Sequence, residues 1–147
     1  MENMRKRMLF LLASIMCVMT SCWAGKPIAY NEMSQEARNF IEQIFPDAKV
    51  VFVESYNGIF GPSYEVNINT GDEIKVTNTG EWKEISCKSM TLPESLLPDY
   101  IKTYLDTNFP NVKIEKIEKY KKYIEVELVN DVEIKFNYQG VVIDFDN

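Results

Sequence analysis

Carboxylates are the side chains with which this sequence could most readily do chemistry, because it contains no histidine. The lack of histidine excludes the usual general base near neutral pH, the usual zinc ligand, and the Ser-His and Cys-His nucleophile pairs. Two facing carboxylates could still act as general acid and general base, but only in a pocket that separates their pKa values. No loop has the ligand spacing of an EF-hand. We therefore expect no catalytic residue, no metal site and no cofactor.

Many of the carboxylates fall on alternate positions of predicted β-strands. Alternate residues of a strand share one face of a sheet, so these strands would present a polar and mostly acidic face. Trp82 would be its large aromatic residue, and Trp is common at interface hot spots. We interpret the face as a docking surface for a basic protein partner, the alternative being a solvated face without a partner. The predicted face comprises Glu65, Asn67, Glu73, Lys75, Trp82, Glu84, Glu125, Glu127, Glu133 and Lys135, continued by Val142 and Asp144 in the last strand.

The charge balance limits the partners of this protein. The 147 residues carry a formal net charge of −6, which disfavours nucleic acid and also disfavours anionic lipid bound through a basic patch. The basic and aromatic run 116–123 is interpreted as a hairpin with charged sides, which discourages edge aggregation. The loop 58–62 would place apolar side chains at a hairpin tip, either folded onto the domain or in contact with a partner.

The N-terminus has the pattern of a signal peptide over residues 1–24. Arg5–Arg7 precede an uncharged apolar run of 13 residues, Met8–Thr20, which is too short to span a bilayer. Cleavage after Ala24 would release a periplasmic protein. Cleavage before Cys22, at a sequence similar to a lipobox, would instead anchor the protein to the outer membrane through a lipid. The sequence leaves both routes open, and a lipid on Cys22 would be its only membrane contact.

Cysteine usage allows no internal disulfide in the exported chain. Cys17 lies in the apolar run and is removed by either cleavage. Cys87 remains, joined by Cys22 only if Cys22 carries the lipid, so no free pair exists. We expect Cys87 to be a small buried apolar residue near the end of a strand.

Two stretches of the chain are similar, and we interpret them as copies of one unit. Phe45–Val50 matches Phe109–Ile114, and Tyr64–Ile68 matches Ile124–Leu128. Each copy has the pattern of a helix that stops at a proline, followed by four strands with Gly- or Asn-containing turns. We predict an α+β fold, a tandem duplication of a helix plus four-stranded antiparallel sheet unit, and leave open whether the two sheets join. The expected domain covers residues 25–147, with repeat one at about 30–89 and repeat two at about 92–147.

The apolar side chains of these strands should form the core beneath the helices. Their alternation assigns one inward-facing set to each copy. The set in copy one is Tyr64, Val66, Ile68, Ile74, Val76, Ile85 and Cys87, and the set in copy two is Ile124, Val126, Leu128, Ile134, Phe136, Ile143 and Phe145.

Several of these segments, in this order, resemble a known family. They are the exported leader, the helix that ends in Phe45–Val50, the strands 64–66 and 73–76, and Gly80–Ile85 followed by Cys87. Together they resemble the beta-lactamase-inhibitor-like, PepSY-like proteins of Bacteroides-type bacteria over about residues 27–147. The resemblance implies tandem helix-plus-four-strand units and a periplasmic or outer-surface location.

The resemblance also implies a role in binding. Its name refers to an inhibitor that grips its enzyme with a sheet face, and PepSY modules are proposed to restrain peptidases. We therefore expect an exported cell-envelope binding module, protein-binding or similar to a peptidase or enzyme inhibitor, without catalytic activity. Its partner would be an envelope or secreted protein. The alternatives are a structural or sensory envelope protein without a soluble ligand, and a carboxylate-dependent hydrolase. The oligomeric state is left open.

Overall fold

The computed structural model describes residues 25–146, so the predicted signal peptide and Cys22 lie outside the described residues. Within this range the chain forms two α-helices, two short 3-10 helices and nine β-strands. The helices are α1 (Gln35–Ile44) and α2 (Asp99–Asn108), with the 3-10 turns at Tyr30–Glu32 and Glu94–Leu96. The strands are β1 (Lys26–Pro27), β2 (Val50–Gly58), β3 (Gly61–Ile68), β4 (Glu73–Thr77), β5 (Trp82–Ser86), β6 (Ile114–Lys119), β7 (Tyr123–Leu128), β8 (Glu133–Asn137) and β9 (Val142–Asp146).

All nine strands belong to one antiparallel sheet, and they follow one another in chain order. The predicted fold class, an α+β tandem of helix plus four-stranded units, is therefore wrong, because the molecule is mainly a single sheet with two α-helices. The junction lies where β5 pairs with β6 and Ile85 is opposite Ile117. An unpaired strand edge leaves backbone groups without partners, and this pairing removes one such edge from each half. The strand β1, in which Lys26 pairs with Ser55, was not predicted from the sequence pattern.

Both helices pack on the same face of the sheet. The Ser34 hydroxyl caps α1 by accepting a hydrogen bond from the Ala37 amide at 3.3 Å. Ala37 and Ile41 of α1, and Ile101 and Leu105 of α2, turn their side chains into one shared core. The predicted core residues of β3, β4, β7 and β8 are all buried in it, as are Ile85 and Cys87.

Two bulges correct the predicted positions at the ends of the sheet's two halves. Between β4 and β5, Lys75 pairs with Glu84 but Val76 pairs with Trp82, so Lys83 is an extra residue. An extra residue reverses the alternation of every side chain beyond it. Trp82 consequently faces the core, where it is only 6% exposed, instead of the polar face on which it was predicted.

The second bulge has the same position in β9. Phe136 pairs with Val142 and Lys135 pairs with Asp144, which leaves Ile143 as the extra residue. Val142 therefore packs against the core, while Ile143 is 52% exposed. Both were predicted on the opposite sides. Phe145 faces the core side as predicted but is 46% exposed, because β9 is the edge of the sheet.

Asp72 connects the linker before α2 to the β3–β4 hairpin. It is fully buried, and its carboxylate accepts hydrogen bonds from the amides of Ser89 at 2.7 Å and Met90 at 3.2 Å, and from the Thr70 hydroxyl. Burial by itself would raise the pKa of Asp72, but these hydrogen bonds outweigh it and lower the pKa. The residue at the equivalent position of the β7–β8 hairpin is the buried Val132, whose side chain cannot accept hydrogen bonds of this kind.

Candidate functional site

The sheet face that points away from the helices is the candidate site, and we call it the polar face. Strand alternation sends the apolar residues toward the helices and the charged residues to the opposite side. In residues 25–146 no helix packs over the polar face. Its side chains include Glu54, Tyr56, Glu65, Asn67, Glu73, Lys75, Glu84, Lys116, Glu118, Tyr123, Glu125, Glu127, Glu133, Lys135 and Asp144, together with Phe52 opposite Asn67 and Asp146 opposite Glu133.

Lys75 lies at the centre of the acidic residues in the first half of the polar face. Its Nζ is 3.0 Å from a Glu84 oxygen, to which it donates a hydrogen bond, and 3.7 Å and 3.8 Å from Glu73 and Glu65. Burial lowers the pKa of Lys75, but these carboxylates outweigh that effect and raise the pKa. One ammonium group thus serves three carboxylates on three neighbouring strands.

Lys116 extends these ion pairs across the junction between β5 and β6. Its Nζ is 3.1 Å from a Glu118 oxygen and 3.7 Å from the second oxygen of Glu84. Glu84 therefore bridges Lys75 and Lys116. The two halves of the polar face form a continuous charged surface.

Lys135 repeats the arrangement of Lys75 in the second half. Its Nζ lies 3.0 Å from Glu133, 3.0 Å from Asp144 and 3.7 Å from Glu125. The register agrees as well, since Glu65 pairs with Lys75 in the first half and Glu125 pairs with Lys135 in the second. The same charge pattern thus occurs twice on one sheet, 60 residues apart.

The lysines do not fully offset the effects that raise the pKa values of Glu65 and Glu125. The pKa of Glu65 is raised by burial first and by the charge of Glu73 second, although Lys75 opposes both effects. The pKa of Glu125 is raised by burial and then by Glu133, although Lys135 opposes both. Both carboxylates would hold their negative charge more easily if a further cation came close.

The polar face also carries tyrosine side chains that were not among the predicted site residues. Tyr56 donates a hydrogen bond to Glu54 at 3.0 Å, and burial, with that bond, raises the pKa of Tyr56 to about 12. Tyr123 stacks on Tyr120 with ring centroids 4.5 Å apart. Alternation alone could have found both tyrosines, because Tyr56 lies two residues after Glu54 and Tyr123 lies two residues before Glu125.

A shallow cavity opens beside the first of these tyrosines. It has a volume of about 300 Å³ and is lined by Tyr56, Ser63, Tyr64, Glu65 and Lys75. Its walls combine an aromatic ring, an acid and an ammonium group. It would accept a single side chain of a partner better than a free small molecule, because it is small and open.

The structure brings together all of the predicted site residues of the block 65–135 except Trp82. Trp82 lies in the core, with the Nζ of Lys119 3.9 Å from its ring centroid. The predicted anchor of the surface is therefore on the other side of the sheet. The loop between β2 and β3 is not folded onto the domain, since Ile59 and Phe60 are 96% and 95% exposed.

The polar face gives no support to carboxylate-based hydrolysis. Hydrolysis by a pair of carboxylates needs one acid and one base whose pKa values are pushed apart in a closed pocket. Here the face is open, and the pKa values of Glu65 and Glu125 shift in the same direction. In the part of the chain from 25 to 146, no group of histidine, cysteine and acidic residues could hold a metal ion.

Cys87 is buried as predicted, at 5% exposure, and is a free thiol. Burial raises its pKa to about 12, and the charge of Asp72 adds to this shift. A thiolate is therefore scarce at neutral pH.

Neither helix of the described region has both the length and the apolar character that a membrane crossing requires.

Comparison with known proteins places this sheet among solved structures from Bacteroides. "A putative periplasmic protein from DUF2874 family" of Bacteroides vulgatus is 43% identical, with a TM-score of 0.77 over 83% of this chain and 96% of that one. "A putative calcium-regulated periplasmic protein" of Bacteroides thetaiotaomicron is 38% identical, with a TM-score of 0.76 over 83% and 96% of the two chains. A second Bacteroides vulgatus protein, "a putative periplasmic protein of unknown function", is 28% identical, with a TM-score of 0.76 over 84% and 100%.

No curated protein matches this chain. A family model does match it over residues 62–144, which extend from β3 into β9 and cover more than half of the chain. The description of that family is "Putative beta-lactamase-inhibitor-like, PepSY-like". The sequence resemblance is thereby confirmed: the chain belongs to the beta-lactamase-inhibitor-like, PepSY-like family.

Proposed function

We propose that this protein is an exported cell-envelope module that binds a basic segment of a protein partner through its polar face. The observation that carries this proposal is an uncovered sheet face on which carboxylates outnumber lysines. The pKa values of Glu65 and Glu125 on this face are raised, first by burial and second by repulsion from the neighbouring carboxylates Glu73 and Glu133. An incoming Lys or Arg would relieve this repulsion. The role is a binding one, without catalysis.

Electrostatic complementarity explains how such a surface would work. A one-sign field attracts a partner of opposite charge and raises the association rate, and the effect falls as salt screens it. Tyr56 and Tyr123 supply flat, amphipathic contact area between the charges, a type of side chain that interfaces favour. In this proposal Tyr56 and the cavity beside it take the anchoring role first assigned to Trp82.

The experiment neutralises the two carboxylates of the polar face whose pKa values are raised. Glu65→Gln with Glu125→Gln keeps their size and removes their charge. The matched control removes the same charge from the helical side, through Glu42→Gln with Asp106→Asn, at exposed positions. Each exported protein is immobilised and incubated with envelope extract, and bound proteins are identified by mass spectrometry at low and high salt.

We expect a basic envelope or secreted protein to be captured by the wild type and by the control but not by the polar-face variant. The capture should fall as salt rises. Equal capture by all three proteins would exclude the polar face as the binding site. No capture by the wild type would favour the other role, a structural or sensory envelope protein without a soluble ligand.

The location also forms part of the proposal. The solved relatives are described as periplasmic, and the leader predicts export. We propose a periplasmic protein, or one that a lipid on Cys22 anchors to the outer membrane. Labelling cells with a radioactive fatty acid, with Cys22→Ser as the control, tests the anchor. Label in the wild type alone supports it, and an unlabelled wild type contradicts it.

A further inference from the structure

The outer edge of β9 is open, and its backbone is available for pairing. In the sheet described for residues 25–146, β9 is the last strand and pairs only with β8. The amide of Phe145 donates to the carboxylate of its own neighbour, Asp144, at 3.1 Å. The Asp144 side chain thus accepts the hydrogen bond that the Phe145 amide would otherwise donate to a carbonyl of a neighbouring strand.

β5 shows what this position looks like when it is covered. Ile85 pairs with Ile74 in the first half just as Phe145 pairs with Ile134 in the second. The amide of Cys87 donates to the carbonyl of Glu115 at 2.7 Å, and antiparallel pairs alternate, so the backbone of Ile85 also faces β6. Because Phe145 has the equivalent position in β9, its backbone amide and carbonyl point away from β8 toward the open edge.

Exposure measures the difference between the two positions. Ile85 is fully buried, with Ile117 of β6 opposite it. Phe145 is 46% exposed, although Phe109, which follows α2, stacks on its ring with the centroids 6.2 Å apart. A strand placed on β9 as β6 is placed on β5 would bring an aliphatic side chain against Phe145 and cover it.

Charge selects the residues on either side of that aliphatic one. On β6, Glu118 lies opposite Glu84, and Lys116, opposite Ser86, compensates both carboxylates at 3.1 Å and 3.7 Å. β9 has Asp144 at the position of Glu84, and it has the acidic Asp146 at the position of Ser86. Since like charges directly opposite each other destabilise a strand pair, a strand that docks on β9 should be basic at both flanking positions.

We propose that the edge of β9 binds an extended segment of a partner protein as an added antiparallel strand with a basic–aliphatic–basic sequence. The aliphatic side chain packs on Phe145, and the basic side chains face Asp144 and Asp146. A second copy of this chain is a poor occupant, because antiparallel pairing of β9 with β9 would bring these aspartates together. The site is separate from Glu65 and Glu125, so it goes beyond the proposed function.

The probe is a strand that this protein itself supplies. A fluorescent peptide of residues 113–120 carries Glu118→Lys, which gives it Lys116, Ile117 and a second lysine in the required order. The native peptide, with Glu118 opposite Asp144, is its matched control. Binding to the full exported protein is followed by fluorescence anisotropy, and the site is located from the amide NMR shifts of β9.

We expect the Glu118→Lys peptide to bind about fivefold more tightly than the native peptide. In the protein variant Asp144→Lys, whose side chain lies at an exposed edge, this preference should reverse. N-methylation of the peptide at Ile117, whose amide would face Phe145, should weaken binding about tenfold, whereas N-methylation at Lys116 should have little effect.

Three results would overturn the proposal: no binding of the Glu118→Lys peptide, an unchanged preference in Asp144→Lys, or tolerance of the methyl group at Ile117. Dimerisation through β9 without peptide binding would overturn it as well, in favour of a second copy. The polar-face variant Glu65→Gln with Glu125→Gln should bind the peptide as the wild type does. Loss of peptide binding in that variant would assign the peptide to the polar face and would also contradict the edge site.

Discussion

Truncation of Asp72 should cost this protein much of its stability. Asp72→Ala removes the carboxylate that holds the linker 88–90 to the β3–β4 hairpin, and it leaves the amides of Ser89 and Met90 and the Thr70 hydroxyl without their acceptor. An abandoned buried donor costs about 1–3 kcal/mol. Ser89 is itself exposed, so water can replace part of the loss. We expect the free energy of unfolding to fall by about 2–3 kcal/mol, which lowers Tm by about 10 °C.

The pH dependence of Asp72 provides an independent check. Because the pKa of Asp72 is lower in the folded protein, its contribution is fully present above the unfolded pKa and is lost as pH falls through the folded pKa. Asp72→Asn keeps the shape but carries no charge, so its stability relative to the wild type should improve as pH falls toward 3 and below. The assay is urea unfolding followed by circular dichroism, from pH 7 to pH 2.

The exposed residue Asp47 supplies the control for this experiment. Asp47→Ala removes an aspartate from a turn, where we expect a change of less than about 0.5 kcal/mol. If Asp72→Ala were as stable as Asp47→Ala, the carboxylate would not hold the linker. If Asp72→Asn had the same pH profile as the wild type, the lowered pKa would be wrong.

Three further predictions follow from other parts of the molecule. Because burial and neighbouring carboxylates raise the pKa values of Glu65 and Glu125, the double change to Gln should stabilise the free protein by about 0.5 kcal/mol at pH 7. A loss of stability in urea unfolding would contradict the raised pKa values. Gly80→Ala should lower the free energy of unfolding by about 1–2 kcal/mol more than Gly71→Ala. Both glycines have positive φ, but only at Gly80 would the new Cβ lie 2.8 Å from the Glu36 carbonyl oxygen. Equal decreases in Tm for the two variants would contradict this clash. Cys87 should resist iodoacetamide at pH 8 and react only on unfolding, since a pKa of about 12 leaves on the order of one thiol in ten thousand as thiolate. Labelling is followed by mass spectrometry, and rapid labelling of the native protein would contradict the burial of Cys87.

The sequence predicted the order of the elements because local patterns determine them. Ser34 and Pro46 mark the ends of α1 through capping and through the loss of a backbone donor. Period-two alternation separated Val66 and Ile74 from Glu65 and Glu73, since that period is built into the strand itself. Side-chain alternation was therefore sufficient to predict most of the polar face.

Bulges and sheet closure could not be read in the same way. A strand with one extra residue has the same composition as a regular one, and only its pairing partner shows where the alternation reverses. For that reason Trp82 and Ile143 were assigned to the wrong sides. The tandem duplication of the sequence stays a prediction. Local patterns left open whether the sheets of the two halves join, and the pairing of β5 with β6 makes them one sheet.

By itself the sequence determined that this chain begins with the pattern of a leader, has strands with one apolar and one acidic side, and offers no histidine for catalysis. Those properties depend on side-chain type and local period alone. Only the tertiary structure decided that Lys75, Lys116 and Lys135 each lie among carboxylates from several strands, and that β9 is left as an open edge. The reason is that cross-strand distances depend on which strands pair and in what register, and long-range backbone hydrogen bonding sets both.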